Sequence, residues 1–178
     1  MTAKTIMTSG DIDRSLDRIS LEIIERNRGL DELSIIGVHT GGVFLAQRLK
    51  ERLEARGHGI ILPSGNLDIT LYRDDWSLIS QNPVVRKSEI GFLMEDRRVI
   101  LVDDVIFTGR TIRAAMDAIM DYGRPLSIQL AVLVDRGGRE LPIQPDYVGM
   151  HVSAGKTERV DVLLRESGDV DKVQLSSP

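Results

Sequence analysis

The 178-residue chain has no cysteine and only three histidines, at 39, 58 and 151, which leaves neither a disulfide framework nor a ligand set for structural zinc. Long apolar runs are missing too: none approaches the eighteen or so residues that a spanning helix needs. The start, MTAKTIMTSG, lacks the basic cluster and apolar stretch of a signal peptide, so the expectation is a cytoplasmic protein with no membrane partner. Positive charge is short, because 23 Lys and Arg against 27 Asp and Glu give a formal net charge of −4. Nothing global therefore draws the chain to nucleic acid, and any polyanion site must be local. Repeats, linkers and low-complexity segments are absent. What is there, 42% hydrophobic and 28% charged residues, is the balance of a globular protein, and the length suits a single domain over 1–178.

Ile12, Leu16, Ile19 and Ile23 recur at helical spacing, with Ser9 or Asp11 able to cap the start and Gly29 the end. LSIIGV (33–38) reads as a strand and VFLAQRLKERLEAR (43–56) as a helix. In IILPSGNLDITLY the apolar pattern breaks at Pro63 to Asn66, giving two strands or a hairpin, and Arg73 to Glu89 reads as a long loop. A buried strand, RRVILV (97–102), leads through a turn to a helix from about Thr108 to Tyr122, ended by Gly123 and Pro125. SIQLAVLV (127–134) is a further central strand, RVDVLL (159–164) alternates like an edge strand, and the tail ESGDVDKVQLSSP gives a short strand that frays. Strands alternating with helices imply a mainly parallel α/β sheet with helices on both faces, where ligands sit beyond the carboxyl ends of the strands. The loops after Val38, Val102 and Val134 are the places to look.

The run VILVDDVIFTGRT (99–111) concentrates the chemistry. Its strand delivers Asp103 and Asp104, and Phe107 to Thr111 open a helix whose free N–H groups favour an anion by roughly 0.3–1 kcal/mol. Gly109 lets the backbone approach a phosphate, and Thr108 and Thr111 add hydroxyl donors. Carboxylates repel a bare phosphate, so their targets are sugar hydroxyls or magnesium, and the combination reads as ribose 5-phosphate. A nucleotide P-loop needs a run that does not occur, and GVHTGG fails the dinucleotide pattern. A magnesium-binding receiver or phosphotransfer domain explains the paired aspartates but not the Thr-Gly-Arg-Thr turn. A capped helix after a buried strand is the bland alternative.

Those thirteen residues resemble the phosphoribosyl-pyrophosphate motif of type I phosphoribosyltransferases. LDITLYRDD (67–75), GRPLSIQLAVLVDRGGRELPI (123–143) and DYVG (146–149) narrow the resemblance to the PyrR family, bifunctional pyrimidine operon regulators and uracil phosphoribosyltransferases, over nearly the whole chain. The resemblance implies the type I fold, a mainly parallel sheet flanked by helices with a small hood. It also implies Mg2+-dependent conversion of uracil and phosphoribosyl pyrophosphate to UMP and pyrophosphate, a pocket for UMP or UTP, an RNA partner, and a homodimer or higher homo-oligomer. By similarity Asp103 and Asp104 hold the ribose hydroxyls, directly or through magnesium or its water. Val105, Ile106, Phe107, Thr108, Gly109, Arg110 and Thr111 form the 5-phosphate turn. His39, Thr40, Gly41 and Gly42 form the pyrophosphate loop. Arg73 opens a lid segment that reaches the leaving group with Arg86 or Lys87, and Val134, Asp135 and Arg136 take the base.

Blander roles stand beside these. Asp68 can pair with an arginine at a strand end, Tyr72 can pack at an edge, Arg73 can be a solvated charge, and His39 suits a loop hydrogen bond better than a base. Trp76 is undecided between packing and substrate. The sequence also departs from the family. Thr40-Gly41-Gly42 replaces a Thr-Arg-Gly loop, and losing a charge-assisted bond of roughly 1.5–3 kcal/mol predicts transfer slowed about ten- to a hundredfold. Phe107 replaces a tyrosine. On the RNA face Asp17, Leu21, Gly138, Gln144 and Met150 replace basic or polar residues, leaving Arg18 and Arg139. Two cations make a thin phosphate footprint, and Leu21 and Met150 suit a subunit contact better. The enzyme is thus the preferred reading; the alternatives are a nucleotide-sensing RNA-binding attenuator with weak or no transferase activity, and a degenerate member acting through protein contacts.

Overall fold

The computed structural model describes residues 2–75 and 85–178; Trp76 and the middle of the expected lid lie outside the described residues. A six-stranded sheet and a three-stranded sheet organise the chain. The larger contains β2 (Leu33–Val38), β3 (Ser64–Leu67), β4 (Glu89–Ile90), β5 (Arg98–Ile106), β6 (Ser127–Asp135) and β7 (Tyr147–His151), in the order β4-β3-β2-β5-β6-β7. All its pairs are parallel except β3 with β4. The smaller is antiparallel and consists of β1 (Thr2–Thr8), β9 (Lys172–Ser177) and β8 (Arg159–Leu163), in that order. It forms the hood.

The central strands are apolar on both faces because both faces are covered. Ile35, Ile100, Val102 and Leu133 point to one side and meet Ile12, Leu16, Ile19 and Ile23 of α1 (Ser9–Asn27), Leu45, Leu49 and Leu53 of α2 (Gly41–Arg56), and Val160 and Val173 of the hood. Ile36, Leu101 and Val132 point to the other, against Ile112, Ala115 and Ile119 of α3 (Arg110–Met120). One layer of helices thus lies on each face.

Several local expectations shift. The cap of α1 is Thr8, whose hydroxyl accepts the Asp11 N–H while the Asp11 carboxylate accepts the Thr8 N–H; Asp11 takes part as the third residue of the box rather than as the cap. β1 was not legible, because TAKTIMT is polar enough to pass for an irregular start and becomes a strand by pairing with β9. The tail is accordingly the central strand of the hood. Residues 64–66, expected within the interruption at Pro63 to Asn66, join Leu67 in β3, since Gly65 and Asn66 lie in register between Ile36 and Gly37 of β2 and the short β4. The apolar run before Pro63 contributes Leu62 to the core and leaves Ile61 80% exposed. A buried bridge fastens the hood to α2: Arg48, 4% exposed, donates to both oxygens of Glu166 (2.7 and 2.6 Å) and both of Asp171 (2.8 and 2.9 Å). Among the described residues no helix is long and apolar enough to cross a membrane.

Candidate active site

After β2 the chain crosses to β3 on one side, whereas β5 and the strands after it build out on the other. The connections leaving β2 and β5 therefore diverge, with α2 on one face and α3 on the other, and a crevice opens between their loops. Leu33 to Gly37 pair in register with Arg98 to Val102, so His39–Gly42 and Asp103–Thr111 emerge side by side.

Their approach is close. Gly42 lies over the middle of β5, where an added Cβ would stand 2.4 Å from the Val102 carbonyl oxygen. At Gly41 an added Cβ would stand 2.4 Å from Oδ2, 2.9 Å from Cγ and 3.0 Å from Cβ of Asp104. The missing side chain at position 41 is thus matched by a carboxylate already in its space. The Thr40 side chain makes no capping bond on α2, and the His39 backbone N–H donates to the Leu67 carbonyl at 2.9 Å.

Asp103 is buried, its Oδ1 accepting the Asp104 N–H at 2.9 Å, and Asp104 Oδ1 accepts the Val105 N–H at 2.7 Å. Burial pushes the Asp103 carboxyl well above its usual range, and the adjacent Asp104 charge adds to this. Burial also raises Asp104, despite its bond to Val105. Acids held in this way gain from an arriving partner, either ribose hydroxyls or a divalent cation. No cluster of three or more His, Cys, Asp or Glu among the described residues could enclose a metal. A cation at Asp103 and Asp104 would complete its shell with ligand oxygens and water, which is the habit of magnesium rather than zinc. The donor set therefore fits magnesium.

Beyond the aspartates, Gly109 precedes α3 with a φ of +91° and the helix N-terminus opens into a cleft of about 650 Å³. Arg73, Asp74, Asp75, the 105–112 turn and Glu140 line it. Arg73 reaches Thr111 Oγ1 at 3.4 Å but is held bidentate by Asp75 at 2.8 Å. Arg110 pairs with Asp74 and with Glu140. These three carboxylates were missed; the signal was the Asp-Asp directly after Arg73 and the Glu directly after Arg139. They counter the cations of a site that would otherwise concentrate positive charge, and an entering phosphate must compete with them.

β6 ends against the same turn. The Val134 side chain is buried in the core, so that residue can offer only backbone. The Arg136 N–H donates to the Ile106 carbonyl at 3.2 Å, and its guanidinium lies 4.0 Å from the centroid of the Phe107 ring. Other sequence expectations resolve differently. Among the described residues Asp68 meets no arginine side chain; it accepts from Thr70 N at 2.8 Å and from the Arg86 N–H. Tyr72 packs against the core on the α3 side of the sheet and also donates its hydroxyl to Asp121. Arg18 lies far along α1, donating to the Val148 and Gly149 carbonyls at 3.0 and 2.7 Å and to Glu22. Asp17 is engaged by Arg52 at 3.1 Å and Arg56 at 3.4 Å.

Residues 3–162 match the model of the phosphoribosyl transferase domain, and the fold agrees. The hypoxanthine phosphoribosyltransferase of Trypanosoma cruzi superposes with a TM-score of 0.73, covering 98% of this chain and 97% of that one at 18% identity. Purine phosphoribosyltransferase from Pyrococcus horikoshii does so with a TM-score of 0.61 at 24% identity, over 82% of this chain and 86% of that one. Among curated proteins, Bifunctional protein PyrR of Deinococcus radiodurans is 55% identical over 98% of this chain and 94% of its own length. That of Desulfosudis oleivorans is 53% identical over 100% and 99%. The chain belongs to the phosphoribosyltransferases and, within them, to the PyrR family.

Proposed function

We propose that this chain, working as one domain over 1–178, transfers the phosphoribosyl group of phosphoribosyl pyrophosphate to uracil, giving UMP and pyrophosphate. The observation that supports this most is the crevice between β2 and β5, where the Thr40–Gly42 loop abuts Asp104 beside a phosphate turn whose far side is the base strand. Pyrophosphate, ribose, 5-phosphate and base each find a wall there. Asp103 and Asp104 hold the ribose hydroxyls, and the ionised form of Asp104 offsets the positive charge that develops at the anomeric carbon as its bond to pyrophosphate breaks. Mg2+, held at these aspartates and by the donor, would neutralise the leaving pyrophosphate. Backbone N–H groups of residues 39–42 bind that group, and Arg73 joins them after leaving Asp75. The turn from Thr108 to Thr111 binds the 5-phosphate, and uracil N1 forms the new bond while its proton passes to solvent. The decisive experiment is UMP formation from labelled uracil and phosphoribosyl pyrophosphate with magnesium. Nucleotide binding without turnover would reject the enzyme.

The relatives' name, Bifunctional protein PyrR, supports a second activity, which we propose to be nucleotide-enhanced binding of RNA in the cytoplasm. Here that face is weak, because Arg18 is bonded internally and Asp17 presents a carboxylate. Affinity for a leader stem-loop in the presence of UMP or UTP should fall only gently with salt, in line with few phosphate contacts; a steep slope would show a footprint larger than Arg18 and Arg139. Leu21, 54% exposed on α1, supports assembly as a homodimer or higher homo-oligomer, which light scattering tests.

A further inference from the structure

Arg139 carries an arrangement that neither phosphate binding nor RNA binding explains. It follows the base strand by four residues, yet its guanidinium turns back into the protein with only 12% of the side chain exposed. Nε donates to the Ile143 carbonyl at 2.8 Å, Nη1 to the Phe107 carbonyl at 3.0 Å, and Nη2 to Asp135 Oδ2 at 2.7 Å and Gln144 Oε1 at 3.3 Å. All three nitrogens are committed, and an RNA phosphate could gain this cation only by displacing those acceptors.

The acceptors belong to three pieces of the cleft: the end of β6, the phosphate turn, and the 140–144 loop. Phe107 is gripped in two further ways from residues 136–138, between the end of β6 and Arg139. Arg136 stacks on its ring, and Gly138, with a φ of +78°, passes so close that an added Cβ would stand 2.4 Å from Phe107 Cε2. Gly138, one of the departures on the RNA face, is thereby accounted for by the ring beside it. Burial favours the neutral form of Asp135, but the Arg139 guanidinium and the Gly137 N–H hold its carboxyl below the usual range. The Asp135–Arg139 pair is therefore charged, and a bond to an ionised partner resists loss more than a neutral one.

We propose that Arg139 is a positioning residue that locks the base-reading end of β6 onto the phosphate turn, so that uracil is recognised only in register with the bound ribose 5-phosphate. This rests on the reading of the cleft as the site of UMP formation. The phosphate turn keeps independent support, because Thr108 O accepts from Glu140 N at 2.9 Å and Leu141 N at 3.1 Å. Loss of Arg139 should therefore loosen the base wall and spare the phosphate wall.

Titration calorimetry of the intact protein with UMP and with ribose 5-phosphate separates the two. Arg139→Ala should weaken UMP by about ten- to a hundredfold, the worth of one charge-assisted bond, and leave ribose 5-phosphate within about threefold, less than one ordinary hydrogen bond. In turnover the KM for uracil should rise more than that for phosphoribosyl pyrophosphate. Arg139→Lys, which can keep the bond to Asp135, should recover part of the UMP affinity. Gly138→Ala, which moves the Phe107 ring, should reproduce the selective loss if Arg139→Ala proves unstable. Equal weakening of both ligands, no weakening of either, or loss of stem-loop binding with UMP affinity intact would overturn the assignment. The wild-type arm reports separately on the underlying function: UMP bound no more tightly than ribose 5-phosphate would overturn the base site itself.

Discussion

Gly41→Ala is expected to lower the turnover of phosphoribosyl transfer about a hundredfold, because displacing a catalytic group by an ångström costs on that order. The new Cβ would fall 2.4–3.0 Å from three atoms of the Asp104 side chain. The carboxylate cannot merely swing its tip away, since its own Cβ is one of those atoms and its Oδ1 is tied to the Val105 N–H at 2.7 Å. Asp104 must shift as a unit, away from the place where charge develops on the sugar. The family's Thr-Arg-Gly loop suggests that Gly41→Arg would restore a cation and speed transfer. The geometry gives the opposite sign, since any side chain at 41 meets Asp104 before its head can reach pyrophosphate. Asp104→Asn is the matching control: it keeps the shape and removes the charge, and should cost turnover about as much. Steady-state kinetics of UMP formation checks both, and undiminished kcat in Gly41→Ala would show that the loop and the aspartate are not coupled.

Arg48→Ala should destabilise the protein by about 3–5 kcal/mol, since removing one partner leaves buried charge uncompensated. For a chain of this size that lowers Tm by roughly 6–20 °C. Arg48 faces two carboxylates, and both feel it: the guanidinium holds Glu166 and Asp171 below their usual range. In the wild type their contribution is complete above the ordinary carboxylate pKa of about 4 and fades as pH falls through the lowered folded values. In the variant the buried Asp171 loses its cation and keeps only the Arg165 N–H at 2.8 Å, while the partly exposed Glu166 turns to solvent, so Asp171 tends to take up a proton on folding. Its deficit should therefore be largest near neutral pH and narrow as pH drops below about 4. Urea unfolding of both proteins from pH 7 to 3 tests this, and a deficit independent of pH would assign the loss to packing alone. The hood hangs on this bridge, with Asp161 of β8 adding to the negative potential at Asp104, so partial loss of activity below the melting range should accompany it.

The helical faces of α1, α2 and α3 were legible because they depend on spacing within one segment, and the central strands because burial on both faces makes them continuously apolar. VILVDDVIFTGRT carried its chemistry in order for a similar reason: strand, acid pair, phosphate turn and helix start are contiguous, and their roles follow from local backbone geometry. β1, β3 and the place of the tail were not legible, because each becomes a strand through a partner distant in sequence: Thr2–Thr8 through 172–177, and Ser64–Leu67 through β2 and β4. Asp74 and Glu140 were hidden for the same reason, as their partner Arg110 is brought to them by the fold, whereas Asp75 pairs with Arg73 only two residues before it.

By itself, then, the sequence determined the class of fold and the order of the residues proposed to hold the donor, since both are written in short-range order. Only the tertiary structure decided what Gly41, Arg139 and Phe107 mean. Whether an absent side chain is a lost ligand or room for a neighbour, and whether an arginine faces solvent or clasps two loops, depends on which atoms the sheet's crossing at β2 and β5 brings together.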